Sequence, residues 1–447
     1  MARRRPMPEG ERLTPDPAAA LPATTARPGR VLALLLLIVV GTVNYVDRQI
    51  LSVLAEPIRQ DLGLSDTQLG LLTGLSFALF YGVMGVPAAM LADRHHRVRL
   101  VAAACLLWSA FTGACAFAGS FLHLALARFG VGIGEAGGTA PSLSILADYY
   151  PPRYRPAVIG LFTANGPLGV FVGASFGGWM AGQYGWRAAF LAVAAIGVVA
   201  ALLLVLFVRE PPRGGLDPAS AAGPSRPMPL GPTLRVFMSR PALRWLLFAS
   251  GVAAFVSTGM LSWIPAFLMR VQGMPLAEVA RWFGPAAGLC FGIGIAGGGA
   301  LVNWASRRSL RAYGWVPGLA MLLTGPTLAL ALLAPDWRTS LALMTVPMIC
   351  STIYVAPALA LVQNLSPVAA RATVTALVLL AFNIVGQGGG PLAVGMLSDG
   401  LAGRGAADPL RIAMIALAPV AALSALAYFA LARVVLRDAE AAARDGL

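Results

Sequence analysis

The sequence contains no lysine and few charged residues of either sign. Only 12% of its 447 residues are charged, whereas about a quarter is usual in soluble proteins. This shortage excludes an ordinary soluble domain. The formal net charge of +14 does not indicate a nucleic-acid partner, because most of the 33 arginines lie in short connections between long apolar runs.

Reactive side-chain clusters are also missing from the sequence. The four cysteines, Cys105, Cys115, Cys290 and Cys350, all fall inside apolar runs and lack the spacing of a metal site. We interpret them as small buried residues and expect no disulfide framework, metal or cofactor. The sequence shows no cluster of His, Cys and Asp and no nucleophile motif, which argues against an integral membrane enzyme.

Apolar residues are what the sequence has in excess: they make up 58% of the chain and give a mean hydropathy of +0.75. Runs of 18 or more recur along its length, which is typical of transmembrane helices. The sequence therefore predicts an all-α integral membrane protein with twelve transmembrane helices. The predicted spans cover residues 31–54, 68–91, 99–119, 122–146, 155–181, 187–208, 243–268, 283–304, 312–334, 339–363, 371–397 and 410–434.

The predicted spans form two groups of six. Residues 31–208 and 243–434 hold six spans each, and 209–242 join them as a linker that is rich in Pro, Gly and Ser. Residues 1–30 are predicted to be a disordered tail, and 435–447 are predicted to be a second tail.

The distribution of arginine predicts the orientation. With the amino terminus in the cytoplasm, 24 arginines lie on the cytoplasmic side and seven on the opposite side. Since positive charge accumulates in cytoplasmic loops, we expect the linker and both termini to be cytoplasmic. The expected location is the lipid bilayer of the inner or plasma membrane.

The two halves repeat each other in sequence. Asp93 after span 2 aligns with Asn303 after span 8 at an offset of 210, and Arg155 before span 5 aligns with Arg371 before span 11 at an offset of 216. Two pseudo-symmetric six-helix halves are typical of secondary transporters, whose substrate site lies between the repeats.

The stretch AMLADRHHR, residues 89–97, follows span 2 and matches a Gly-x-Leu-Ala-Asp-Arg-x-x-Arg pattern, with Ala89 in place of the glycine. At this position the pattern resembles that of the major facilitator superfamily, which implies the major facilitator fold and transport by alternating access. Asp93, Arg94 and Arg97 are then expected to form a conformational gate, with Asp93 facing the positive amino-terminal end of span 11 in one state. A loop that only sets topology would account for the arginines but not for the aspartate.

Four other stretches narrow the resemblance. NYVDR in span 1, RFGVGIGEAG in span 4, ADYYPPRYRPAVIGLF entering span 5 and VREPPRG ending span 6 are similar to those of the spinster-like branch of the superfamily. Members of that branch move lysolipids, sphingoid phosphates or related amphiphiles in eukaryotes, so the resemblance implies a related substrate. The resemblance is specific in the first half of the chain and general in the second.

Deeply buried charges are predicted on only two spans. Asp47 and Arg48 lie in span 1, and Arg128 and Glu135 lie in span 4. Each such charge costs about 2.5–3.5 kcal/mol at the bilayer centre on insertion scales, which indicates a functional role. Asp47 and Arg48 point about 100° apart on a helix. The depths of the four residues favour an Asp47–Arg128 pair. Glu135 would then have no obvious fixed partner, and Arg48 would be free to meet either substrate or Glu135.

Glu135 and Asp47 are the predicted proton-coupling residues, because a desolvated carboxyl can cycle between protonated and charged forms. Arg48 and Arg128 are predicted to bind an anionic headgroup through paired hydrogen bonds. The alternative is a structural ion-pair network that never meets substrate. Other polar residues of the spans are predicted to line the cavity, with hydrogen bonding between helices as their alternative role: Asn44, Tyr45, Tyr81, Asn165, Tyr354, Asn383 and Gln387.

The predicted function is a secondary active or facilitative transporter, linked to protons, that carries an amphiphilic anion such as a lysolipid or a sphingoid phosphate. The uncharged C-terminal half would face the apolar part of this substrate. Two rivals stay open: a multidrug or small organic-acid carrier of the same superfamily, and a non-transporting membrane receptor. A receptor needs only one conformation, so the duplicated gate and the glycine-lined spans favour a carrier.

Overall fold

Helices account for all the regular secondary structure in residues 29–213, 230–367 and 370–444, which are the residues that this computed structural model describes. Eleven helical segments within them are long and apolar enough to cross a membrane. Span 4 is broken into two shorter helices and completes the predicted set of twelve. The all-helical membrane fold predicted from the sequence is thereby confirmed.

The N-terminal half begins with span 1 and ends with span 6. Its helices are span 1 (Arg30–Val53), a short helix (Ala55–Leu62), span 2 (Asp66–Gly70, Leu71–Leu75 and Ser76–Arg94), span 3 (Arg97–Cys115), span 4 (Phe121–Glu135 and Thr139–Tyr149), a single turn (Pro152–Tyr154), span 5 (Arg155–Thr163 and Asn165–Tyr184) and span 6 (Trp186–Phe207).

The C-terminal half follows a linker helix. Its helices are the linker helix (Leu230–Ser239), span 7 (Pro241–Arg270), span 8 (Leu276–Glu278, Val279–Phe283 and Gly284–Ser306), span 9 (Ala312–Leu332), span 10 (Trp337–Cys350 and Val355–Leu365), span 11 (Arg371–Ala381, Phe382–Gly389 and Gly390–Ala402) and span 12 (Pro409–Ile415 and Leu417–Arg444).

The ends of the chain differ in part from the predicted tails. Residues 1–28, 214–229 and 445–447 lie outside the described residues, and with them most of the predicted disordered tail and the middle of the predicted linker. Span 12 continues as a helix to Arg444, beyond its predicted end at residue 434. The extension is anchored because the Asp438 carboxylate accepts a 2.6 Å hydrogen bond from the main-chain N–H of Ala242 at the start of span 7.

Several spans are interrupted, and the interruptions occur at matching places in the two halves. Span 4 is broken at 136–138 and span 10 at 351–354. Shifting 136–138 by the 216-residue offset between spans 5 and 11 gives 352–354, so the two breaks are equivalent. Interrupted helices in corresponding positions of two repeats mark the substrate region of secondary transporters.

Spans 1 and 5 pack closely because span 5 presents glycines to span 1. A Cβ atom added to Gly177 would lie 2.8 Å from Ile50 Cγ1, and one added to Gly169 would overlap Tyr45. Span 5 also meets span 8 of the other half, where a Cβ atom on Gly288 would lie 2.5 Å from Phe171 Cβ. Small residues therefore fix the contacts around span 1, where the predicted buried charges begin.

The two halves meet at one end of the molecule and separate toward the other. We name the end at Arg30 the terminal face and the end at segment 54–65 the distal face. Near the distal face, Asn165–Tyr184 of span 5 packs on span 8, and the start of span 2 packs on the end of span 11. Near the terminal face, Arg155–Thr163 packs mainly on its own half, and so does Val355–Leu365. The space between the halves therefore opens toward the terminal face.

Candidate functional site

The candidate site lies where span 1 meets the break in span 4. Glu135 is the last residue before this break, and glycines let the neighbouring spans approach it. A Cβ atom on Gly134 would lie 2.7 Å from the main-chain nitrogen of Trp108 on span 3. One on Gly132 would lie 3.0 Å from the carbonyl oxygen of Phe77 on span 2. The stretch RFGVGIGE therefore places Glu135 tightly against spans 2 and 3.

Arg48 and Glu135 form an ion pair across spans 1 and 4. Arg48 Nε donates a 2.8 Å hydrogen bond to Glu135 Oε2. The Glu135 side chain is 0% exposed, whereas the Arg48 side chain is 15% exposed. The expectation that Glu135 lacks a fixed partner is therefore wrong in this conformation, and the contact that forms is the alternative in which Arg48 meets Glu135. A charge buried as deeply as Glu135 needs such a partner, because an uncompensated charge in a low-dielectric interior is costly.

The predicted pairing of the Asp47 carboxylate with Arg128 is not formed in this conformation. Asp47 Oδ1 instead accepts a 2.8 Å hydrogen bond from the Thr112 hydroxyl on span 3. Arg128 reaches span 1 but donates from Nη1 to the main-chain carbonyl of Asp47, at 3.1 Å. The reason is the helical rotation between adjacent residues: Arg48 faces spans 2 and 4, so Asp47 is turned toward span 3.

Aromatic rings surround the Arg48 guanidinium. Its Cζ lies 4.5 Å from the ring centroid of Phe77, 4.7 Å from that of Tyr81 and 5.3 Å from that of Tyr45. Phe77 and Tyr81 are one helical turn apart on span 2, and their rings stack with centroids 5.3 Å apart. Cation–π attraction by three rings holds the guanidinium in place. We call Tyr45, Phe77 and Tyr81 the aromatic cage; Phe77 was not predicted as a site residue.

The outer atoms of Arg48 stay available. Nε bonds Glu135, but Nη1 and Nη2 have no hydrogen-bond acceptor among the described residues. Since the side chain is also partly exposed, this edge of the guanidinium faces the space between the halves. A guanidinium edge with two free N–H groups fits a phosphate or carboxylate by two parallel hydrogen bonds.

Two other predicted residues of the N-terminal half lie on span 1 or pack against it. Asn44 is 4% exposed and precedes Arg48 by one turn, on the same face of span 1. Asn165 is 7% exposed and packs against Gly41, which has no room for a side chain there. Asn44 belongs to the site, whereas Asn165 stabilises the contact between spans 1 and 5.

The three predicted residues of the C-terminal half do not join the charged pair. Tyr354 is 4% exposed and packs edge-on against Phe382, with ring centroids 5.4 Å apart. Asn383 donates a 2.8 Å hydrogen bond from Nδ2 to the Leu379 carbonyl of its own helix. Gln387 lies in the π-helical part of span 11, whose backbone packs against span 2. The charged site therefore belongs to the N-terminal half.

Arg97, a predicted gate residue, joins the ends of three spans within one half. Its Nη1 lies 2.5 Å from Asp148 Oδ2 at the end of span 4, and its Nε lies 2.6 Å from Glu210 Oε1 after span 6. Asp148 and Glu210 were not predicted. Arg94 is exposed at the end of span 2. The side chain of Asp93 lies outside the part that the structure describes, so its contact with span 11 stays a prediction.

A second charged cluster closes the distal face, and the sequence did not predict it. Arg270 of span 7 lies 2.7 Å from Glu56 and 2.8 Å from Asp66, both in the other half. Asp399 of span 11 accepts hydrogen bonds from the main-chain N–H groups of Asp66 and Thr67, at 3.0 and 2.8 Å. We call Glu56, Asp66, Arg270 and Asp399 the distal latch.

The distal latch closes one side and the paired charges lie beside an opening on the other, which is the geometry of an alternating-access carrier. Residues 37–316 match the family model of the major facilitator superfamily. The chain belongs to the major facilitator superfamily. It is therefore a multi-pass membrane protein of a transporter family.

Individual relatives place the chain near the spinster-like transporters. A solved structure of a bacterial homologue of the human lysosomal transporter spinster, inward-facing and unoccupied, is 32% identical and superimposes with a TM-score of 0.83 over 92% of this chain and 98% of that chain. An efflux pump of the superfamily from Mycolicibacterium smegmatis is 34% identical over 88% of this chain and 90% of its own length. A hexuronate transporter from Bacillus subtilis is 29% identical over 62% of this chain and 65% of its own length.

Proposed function

We propose that this protein is a proton-linked carrier of an amphiphilic anion and that the ion pair Arg48–Glu135 is its coupling site. The observation that carries the proposal is the unequal placement of the pair. The Glu135 side chain is fully buried, whereas Arg48 presents two unpaired N–H groups to the space between the halves. An anionic headgroup binds at that edge of Arg48.

Proton and substrate binding are linked through Arg48. When Glu135 is charged, it neutralises Arg48; when Glu135 takes up a proton, the buried guanidinium needs another anion. Protonation of Glu135 therefore raises the affinity of Arg48 for an anionic substrate, and substrate binding favours protonation to the same extent. Asp47 is a second candidate for proton uptake because its Oδ2 is buried without a partner among the described residues.

The amphiphilic character of the substrate is inferred from the other half. A small cavity lies between spans 7, 8 and 10, and none of the residues that line it is charged: Ser257, Met260, Leu261, Ala287, Phe291, Met348, Ser351 and Thr352. An uncharged wall opposite a guanidinium suits a molecule with an anionic head and an apolar body. The similarity to a spinster homologue supports the same substrate class.

The orientation is part of the proposal. The excess of arginine in the connections of the terminal face supports a cytoplasmic location for that face and for both termini. The conformation described is then the inward-facing one, with the distal latch closed. An inner or plasma membrane location follows from the same orientation.

A multidrug or small organic-acid carrier is the competing function. The relatives named as an efflux pump and as a hexuronate transporter favour it. A screen in liposomes separates the candidates: lysolipids, sphingoid phosphates and small organic acids are offered with and without a pH gradient. We expect counterflow of an amphiphilic anion. Movement of small sugar acids without any amphiphile would replace the proposal, and absence of counterflow with every probe would favour a receptor.

Proton coupling is tested with Glu135→Gln, which keeps the shape of the side chain and removes its charge. We expect the variant to lose uptake driven by a pH gradient while exchange at equal pH survives. Glu278→Gln is the matched control. Glu278 is a carboxylate at the distal start of span 8, and within the described residues its side chain accepts a hydrogen bond from Trp282 alone. If a pH gradient still drives uptake by Glu135→Gln, Glu135 is not the proton-coupling residue.

A further inference from the structure

A small cavity lies beside Asn44, on the terminal side of Glu135. Asn44 and Trp108 line it together with Gly138, Thr139 and Ser142, which form the start of the second helix of span 4. The cavity has room for about one water molecule. Thr139 is exposed, so the cavity lies next to the space that opens toward the terminal face.

The polar groups around this cavity lack partners in the protein. Asn44 is 4% exposed, and its amide nitrogen Nδ2 is buried without a hydrogen-bond partner among the described residues. The indole N–H of Trp108 is buried and also has no acceptor there. Buried polar groups are nearly always satisfied by protein or by ordered water. Two unsatisfied side chains that line one water-sized cavity therefore indicate a water site.

The hydrogen-bonding capacity of the lining matches one water. Asn44 and the Trp108 N–H supply donors. Ser142 Oγ donates its own hydrogen to the Gly138 carbonyl at 2.7 Å and keeps lone pairs as an acceptor. A buried water usually makes about three hydrogen bonds, which these groups can provide.

Glu135 borders this water site through Asn44 and Gly138, which both line the cavity. Its Oε2 is taken by Arg48, whereas its Oε1 is buried and has no partner among the described residues. The Asn44 side chain faces Glu135, and the main chain of Gly138 bonds the Glu135 carbonyl at 3.0 Å. The charged and titratable groups that act on Glu135 from spans 1, 3 and 4 are Tyr45, Asp47, Arg48, Cys105 and Arg128.

We propose that the cavity binds a water molecule that passes protons between Glu135 and the terminal face, and that Asn44 is the residue that positions it. When Glu135 takes up a proton, one O–H bond of the water breaks and a carboxylic O–H bond forms at Glu135 Oε1. The water then takes a replacement proton from solvent at the terminal face. The release step is the reverse. The inference rests on the proposed proton role of Glu135.

The test follows hydrogen–deuterium exchange at the Glu135 carboxyl by infrared difference spectroscopy of the purified full chain, without substrate and in a buffer acidic enough to protonate Glu135. The Glu135 band is the one that Glu135→Gln removes. We expect Asn44→Leu to slow deuterium uptake at this band by about tenfold or more, because a hydrogen bond that guides the transfer is lost. Ser142→Val fills the cavity, leaves Asn44 in place, and is expected to give a similar slowing.

Ser109→Ala is the matched control. Ser109 Oγ is also buried without a partner among the described residues, but Ser109 packs against Gly197 away from the cavity. Its exchange rate is expected to equal that of the unmodified chain. Unchanged exchange in both Asn44→Leu and Ser142→Val would overturn the water path and leave the coupling role of Glu135 standing. If no carboxyl band disappears in Glu135→Gln, the proton role fails and the water path fails with it.

Discussion

The guanidinium of Arg270 on span 7 lies 2.7 Å from the carboxylate of Glu56, which follows span 1, so one ion pair ties the two halves together at the distal face. Asp66 shares the same guanidinium at 2.8 Å. An alternating-access carrier must break such contacts once in every cycle. The distal latch therefore stabilises one conformation and raises the cost of leaving it.

Loss of Arg270 is expected to favour opening of the distal face. Arg270→Gln leaves Glu56 and Asp66 without a positive partner, which we expect to cost the closed conformation about 2 kcal/mol, or about thirtyfold in population. The measurement is the labelling rate of a cysteine placed at Leu71, on the distal part of span 2. Arg281→Gln, on the same face, is the control and should label at the parent rate. Equal rates in both variants would show that the latch does not hold this face closed.

The distal latch is expected to resist mild acid. Burial alone would raise the pKa of Glu56, but the Arg270 guanidinium and the hydrogen bonds from Arg270, Arg59 and Gln60 outweigh it and hold the pKa below its usual range. A carboxylate with a lowered pKa contributes its stabilisation above the ordinary value of about 4.3 and loses it as the pH falls through the lowered value. The labelling rate, divided by that of an exposed reference cysteine at the same pH because only the thiolate reacts, should therefore stay constant from neutral pH to about pH 5 and rise only in stronger acid. A rise already near pH 6 would contradict this assignment.

A glycine contact between the halves is expected to be as important as the distal latch for closing the distal face. A Cβ atom on Gly288 of span 8 would lie 2.8 Å from the Pro167 carbonyl and 2.5 Å from Phe171 on span 5. We expect Gly288→Ala to oppose closure by about 1–3 kcal/mol and to slow counterflow accordingly. Gly297→Ala on the same span adds a methyl group to open space and should not change it. Equal slowing in both would point to a general effect of alanine on span 8.

The membership of the charged site could be predicted from the sequence, because the cost of placing a charge in a membrane is a property of residue type and position. Asp47, Arg48, Arg128 and Glu135 do lie together. Their pairing could be predicted only in part: the sequence left Glu135 as one of two possible partners of Arg48 but assigned the wrong partner to Asp47. Sequence gives the 100° between neighbours but not the rotation of span 1 about its axis. That rotation turns Arg48 toward Glu135 and Asp47 toward Thr112.

Residues missed by the sequence share one property: nothing in their local surroundings distinguishes them. Phe77 is an aromatic residue in an apolar run, and only its position near Arg48 gives it a role. Arg270 and Asp399 sit at the ends of spans, where charges are ordinarily solvated. Glu210 lies inside VREPPRG, a stretch that indicated the family without showing that its acid binds Arg97. Each depends on a tertiary contact between distant segments.

The affinity for the anionic substrate is expected to depend more on the shape of the Arg48 guanidinium than on its charge. Arg48→Lys keeps a positive partner for Glu135 but removes the edge with two parallel N–H groups. We expect the affinity for the anionic substrate to fall by about ten- to a hundredfold while a pH gradient still drives uptake. Arg187→Lys, in an exposed pair with Asp61, is the control and should have no effect on affinity. Loss of gradient-driven uptake without a change in affinity would assign Arg48 to proton coupling alone.

The aromatic cage is expected to contribute through its rings rather than its hydroxyl groups. Phe77→Leu removes the ring nearest to the guanidinium, 4.5 Å from Arg48 Cζ, and replaces it with an apolar side chain. Since a cation–π contact at a partly exposed cation contributes about 1 kcal/mol, substrate affinity should fall about fivefold, measured by titration of the substrate identified in the liposome screen. Tyr81→Phe keeps its ring 4.7 Å from Arg48 and should bind substrate as the unmodified chain does. An equal loss in Tyr81→Phe would instead assign the effect to a hydrogen bond from the Tyr81 hydroxyl.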